Sequence, residues 1–114
     1  MTDLQYGDTV LVPYPFTDMN IKKVRPGVIV SGLRYNTATK HIWVMMITRT
    51  QRSHWDYDIP IKDFEAAGIF DQSKIRFKIA CLDQTLIVKK LGALAPADLQ
   101  TLKTGINAVM NDAA

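Results

Sequence analysis

The sequence predicts a small, mainly β protein with α additions: a strongly curved antiparallel barrel or sheet carrying a C-terminal helix. Three observations lead there. Five or six short apolar or alternating segments follow one another, punctuated by Gly, Pro, Asn and Asp. Only the C-terminal segment has a clear helical period. The length, 114 residues, allows one domain over 1–114 and one core, so that many strands must curl.

Thr9 to Tyr14 reads as a strand after the turn residues Gly7 and Asp8. Pro13 and Pro15 lack an N–H and should end it or place it at an edge. Phe16 to Val24 is a polar loop. Arg25 precedes Pro26 and is biased towards an extended backbone. Gly27 to Ser31 then reads as a largely buried strand, and Tyr35 to Lys40 as a turn. His41 to Thr50 is the longest strand candidate, apolar on both faces until its last three residues. Gln51 to Tyr57 is a polar and aromatic loop, and Asp58 to Ile61 a short extended piece. Lys62 to Gly68 reads as one or two helical turns stopped by Gly68. Lys74 to Leu82 alternates charged and apolar residues, the pattern of a half-exposed strand, and Thr85 to Leu91 is a further strand. The final helix starts at Pro96, has Asp98 in its first turn, and carries Leu99, Leu102, Ile106 and Val109 as one apolar stripe.

Composition narrows the class. At 47% apolar and 22% charged residues, the chain is an ordinary globular sequence, not a disordered tail or a fibrous repeat. A single cysteine, Cys81, excludes an internal disulfide framework and a Cys-rich zinc site. No apolar run approaches the roughly 20 residues of a membrane-spanning helix, and the acidic Met1–Asp8 segment has no signal-peptide core. A cytoplasmic protein with no membrane partner is expected.

The net charge of +3 is unevenly distributed. Residues 19–55 hold seven bases (Lys22, Lys23, Arg25, Arg34, Lys40, Arg49, Arg52), both histidines and no acid, so the other residues sum to −4. Such a block is either a polyanion-binding surface or a solvated face whose bases pair with the acids of 56–83.

Familiar catalytic motifs are absent: there is no phosphate-cradling Gly-x-x-x-x-Gly-Lys-Ser/Thr loop, no Gly-x-Gly-x-x-Gly and no His-Glu-x-x-His. His41, His54 and Cys81 lack zinc-finger spacing, so no metal and no cofactor is expected. Cys81, in the apolar run Ile79–Leu82, reads as an inert core thiol. His54, in an exposed loop, is either a plain loop histidine or an acid–base group, since its ordinary pKa of about 6.5 suits proton exchange. If the second and third strands pair antiparallel, Arg25 at the start of one meets Thr48 at the end of the other. An arginine fork beside a hydroxyl suits a phosphate.

Several segments together resemble a known family. Gly7-Asp8-Thr9-Val10 through Pro15-Phe16-Thr17-Asp18, then Lys23-Val24-Arg25-Pro26-Gly27-Val28, are similar to the opening of the PemK/MazF-like toxins of toxin–antitoxin systems. Ile47-Thr48-Arg49-Thr50, Asp58-Ile59-Pro60-Ile61, Ala66-Ala67-Gly68-Ile69 and Cys81 through Leu99 continue the resemblance over nearly the whole chain. It implies an SH3-like β-barrel with a C-terminal helix (CcdB/MazF-like), usually a homodimer, and a cognate antitoxin as partner. It implies a metal-independent endoribonuclease cutting single-stranded RNA, mostly mRNA, with Arg25 and Thr48 at the catalytic positions. Around them Lys22, Lys23, Arg49, Arg52 and Trp55 are candidate RNA contacts, and His54 a candidate acid or base. The segment 51–57, with Arg52, His54, Trp55 and Asp56, departs from some members, which bears on the cleavage motif. Two alternatives remain open: a CcdB-like toxin that poisons gyrase without catalysis, and a non-catalytic nucleic-acid-binding module.

Overall fold

In the computed structural model, which describes residues 3–13 and 23–112, six strands form one antiparallel sheet. They are β1 (Asp8–Pro13), β2 (Val24–Ile29), β3 (His41–Arg49), β4 (Ile59–Pro60), β5 (Ser73–Asp83) and β6 (Lys89–Ala93). The spatial order is β4-β5-β3-β2-β1-β6. Helix α1 (Leu33–Thr39) joins β2 to β3, and α2 (Pro96–Asn111) ends the described chain. The sheet curls into a half-barrel with the helix packed on it, the mainly β class that the sequence predicts.

The two-sided apolarity of His41–Thr50 has a direct cause. β3 lies at the centre of the sheet, and each of its faces packs into a separate cluster. Met45 and Ile47 join Val28, Ile75, Ile59 and Leu102 on one side. Ile42 and Val44 join Ile29, Val10, Val12 and Leu82 on the other. The α2 stripe closes the first cluster through Leu99, Leu102 and Ile106, while Val109 emerges 42% exposed. Asp98 does more than favour the helix N-terminus. It is buried, and its two carboxylate oxygens accept the backbone N–H groups of Lys62 and Asp63 at 3.1 and 2.9 Å.

Four expectations need correction. Residues 35–40 are not a turn; α1 occupies that stretch. Its helix propensity is weak and Gly32 offers no side-chain cap. Tertiary anchoring of Asn36 supplies the difference: its Nδ2 donates to the Leu4 carbonyl at 2.8 Å and the Ser31 carbonyl at 3.1 Å. Residues 62–68 form turns rather than helix. Asp98 takes the first two amides, and Gly68 turns the chain at φ 72°. Within the segment expected as a strand over 85–91, a 3₁₀ turn (Gln84–Leu86) comes first and β6 starts only at Lys89. Asp83 caps that turn, accepting from the Thr85 amide and hydroxyl at 2.9 Å each, and these bonds hold its carboxyl below the usual range. Cys81 is exposed, not a core thiol. It faces outward opposite Trp43, while its neighbour Leu82 points inward. The apolar run misled because the outer face of β5 is apolar too.

Candidate nucleic-acid interface

Register places the site. β2 and β3 pair antiparallel with Gly27 opposite Met46, Val28 opposite Met45 and Ile29 opposite Val44. The ladder stops at Gly27 and Met46; one same-face step further along the same register leads to Arg25 and Thr48, and both line the same cavities. Arg25 is half-buried and the Thr48 side chain is buried.

Two adjoining cavities share Arg25, Thr48 and Arg52 in their walls. The first, about 230 Å³, adds Ser53, Arg76 and Lys78. Four cationic side chains and no acidic one line it, so an incoming anion meets a concave, positively charged surface. The second, about 330 Å³, adds Arg49, Asp71 and the rim residue Phe70. Phe70 is 97% exposed.

The expected site residues divide accordingly. Arg25, Thr48 and Arg52 come together. Arg49 lines the second cavity and pairs with Asp71 at 3.5 Å, both side chains being more than half exposed. Such a pair contributes little. Trp55 lies beside the first cavity rather than in its wall, its ring 4.8 Å from the Arg76 guanidinium carbon. His54 is not among the residues lining these cavities. Its side chain is 77% exposed, and its nearest charged partner is Asp56 at 3.5 Å. Lys23 is exposed and is not among the residues lining these two cavities. Lys22, and most of the polar loop 16–24, lie outside the described residues. Among the described residues no group of three or more His, Cys, Asp or Glu is placed to hold a metal ion.

The alternating pattern of 74–82 concealed the largest surprise. Lys74 and Arg76 are buried, each 7% exposed. Arg76 donates from Nε and from a terminal nitrogen to the two carboxylate oxygens of Asp58, at 3.2 and 3.0 Å. Lys74 Nζ lies 3.3 Å from the same carboxylate and donates to the carbonyls of Arg52 and Ser53 at 3.1 and 3.2 Å. Burial alone pushes the Asp58 carboxyl up, but the bonds from Arg76, the Trp55 amide and Lys74 outweigh it, and the net shift is downward. A β-bulge accompanies the cluster: Met45 faces Ile79 while Met46 faces Arg76, so the strand alternation is reset between them. No periodicity argument reaches this cluster, because Asp58 arrives from a separate segment of the chain.

Comparison with known proteins agrees with this architecture. A model of the PemK-like, MazF-like toxins of type II toxin–antitoxin systems matches residues 5–110, and the chain belongs to that family. No curated protein sequence matches the chain. Among solved structures, a mycobacterial endoribonuclease in complex with its cognate antitoxin superposes with a TM-score of 0.75 at 14% identity, covering 97% of this chain and 96% of the other. The MazE–MazF complex of Deinococcus radiodurans gives 0.69 at 13% identity, covering 96% of each chain. The Mycobacterium tuberculosis toxin MazF-mt6 gives 0.69 at 15% identity, covering 92% and 96%. At these identities the likeness is one of fold.

Proposed function

We propose that this chain is the toxin of a toxin–antitoxin pair and acts as a metal-independent endoribonuclease on single-stranded RNA. The observation that carries the reading is the meeting of Arg25 and Thr48 on neighbouring strands, in a cavity lined further by Arg52, Arg76 and Lys78. Family membership and the endoribonuclease activity named for two of the similar structures support it.

The chemistry follows from the donors present. The ribose 2′-OH loses its proton and attacks the adjacent phosphorus. The P–O5′ bond breaks, and the leaving 5′-oxygen takes up a proton. The products are a 2′,3′-cyclic phosphate and a 5′-OH. Between substrate and products, after the 2′-oxygen has attacked and before the P–O5′ bond breaks, lies a dianionic phosphorane, and its stabilisation is the main demand. Arg25 supplies a planar fork of donors that does not deprotonate, which suits it to the phosphorane oxygens rather than to a base role. Thr48 donates its hydroxyl to a non-bridging oxygen. Arg52, Arg76 and Lys78 add positive charge where a metal would otherwise bring it. Arg49 and Arg52 continue the track for the RNA backbone, and Trp55 offers a stacking face worth roughly 1–3 kcal/mol per base. Lys22, Lys23 and His54 remain candidate contacts through the loops they occupy.

The partners follow from the same surface. A flexible acidic antitoxin segment would compete with RNA for the cationic cleft, ordering as it binds. The working form is a cytoplasmic homodimer.

Incubating purified protein with single-stranded RNA and EDTA, and analysing the ends, tests the reading. Cleavage leaving cyclic phosphate and 5′-OH ends is expected. RNA binding without cleavage would instead favour a non-catalytic binding module. Neither binding nor cleavage would favour a toxin that acts, CcdB-like, through protein contact.

A further inference from the structure

The reaction as described uses the charge of Arg76 but gives no task to Asp58 and Lys74, which are buried with it. We propose that Asp58 is the positioning residue of the RNA-binding wall: through Lys74 and Arg76 it fixes the 52–58 loop over the candidate site and holds Arg76 as a preformed anion contact. The proposal rests on the ribonuclease reading above.

Stability alone does not account for the cluster. Burying three charges is costly, and an apolar trio of similar volume is commonly as stable or more so. What the charges do instead is bind backbone. Lys74 ties the carbonyls of Arg52 and Ser53. Arg76 also donates to the Ser53 carbonyl. Asp58 accepts the Trp55 amide at 3.1 Å. Three side chains therefore pin three positions of the loop ahead of Asp58, at residues 52, 53 and 55, and the Trp55 ring covers the Arg76 guanidinium.

Those pinned positions bear directly on the cavities. Arg52 lines both and Arg76 lines the first, so displacing the loop would withdraw Arg52 and free Arg76 from the Asp58 and Ser53 bonds that orient it. The bidentate bond to Asp58 sets the plane of the Arg76 fork before any ligand arrives. Two cations and one anion leave the cluster one net positive charge beside Lys78 and Arg25. RNA thus meets a guanidinium whose ordering is already complete, and binding does not have to supply that ordering.

The test uses the full chain with Trp43→Phe, which leaves Trp55 as the sole tryptophan. In that background Asp58→Asn is expected to lower kcat/KM for RNA by roughly 10²-fold, mostly through KM. Trp55 emission should shift to the red and become more open to acrylamide. Arg76→Lys, which keeps the charge but loses the fork, should fall between. If Asp58→Asn does not fold, Lys74→Met and Arg76→Lys carry the same readouts. The proposal is overturned if a folded variant keeps both the KM and the Trp55 emission of its parent, or if activity falls only with the folded fraction seen by circular dichroism. Should the parent cut no RNA, the function reading fails by itself. Affinity for a labelled single-stranded oligonucleotide then decides the cluster: weakening in Asp58→Asn retains it, and unchanged affinity overturns it.

Discussion

Thr48 and Asp58 are two buried polar side chains with different tasks in the proposed site. Thr48 sits 9% exposed in the same cavity wall as Arg25, where the proposed reaction has its hydroxyl donate to a phosphate oxygen. Thr48→Val keeps the shape and removes the donor; single-turnover cleavage should slow by roughly 10²–10³, and Thr48→Ser should recover most of it. Asp58 instead acts through its partners, and its charge is linked to folding. Its folded-state pKa lies below the unfolded value of about 3.9. The contribution is therefore complete at neutral pH and is lost as the pH falls through the folded-state pKa. Urea midpoints should show wild type more stable than Asp58→Asn at pH 7, by about 3 kcal/mol, with the gap closing as the medium is acidified below the unfolded value. A gap independent of pH would contradict the assignment. His54, far out on its loop, is expected to leave the pH–rate profile unchanged when replaced by Ala. Loss of a titrating limb in the variant would instead make it the acid or base of the reaction.

Among the elements, legibility followed how much of each one's structure is local. β3 was readable because a central strand must be apolar on both faces, and α2 because its stripe and Pro96 are local signals. The Arg25–Thr48 meeting needed only antiparallel pairing of two recognisable strands. α1 was not readable, since Asn36 holds it through Leu4, 32 residues away. Nor was the inward turn of Lys74 and Arg76, which depends on a β-bulge and on Asp58 arriving from another element. Trp55 and Arg52 could be singled out by residue type, but the clamp that orients them could not. The strand-to-turn contact at β6 gives a further prediction. A Cβ on Gly92 would lie 2.5 Å from the Ala66 carbonyl oxygen, where the Ala93 amide also bonds. Gly92→Ala should therefore cost about 1–3 kcal/mol in urea unfolding, with the activity of the folded fraction unchanged.

For the whole molecule, the sequence left open whether the bases of 19–55 form a binding surface or pair with acids. The structure does some of both. Arg49 pairs weakly with Asp71, while Arg25 and Arg52 line cavities together with two cations from β5, Arg76 and Lys78. The cationic cleft is thus assembled across the chain rather than within its basic third. Its affinity for RNA should fall with salt, each phosphate contact contributing about −0.7 to the slope of log K against log salt. Lys78→Ala should reduce that slope by about one contact while leaving the cleavage motif intact.

In the proposed reaction, Arg25 stabilises the transition state of RNA cleavage at this cleft. Single-turnover cleavage of saturating single-stranded RNA in EDTA, comparing wild type with Arg25→Ala, tests it most directly. A loss of at least roughly 10²–10³ in rate is expected, with RNA binding largely retained by the remaining cations. Cleavage by Arg25→Ala at the wild-type rate would contradict it.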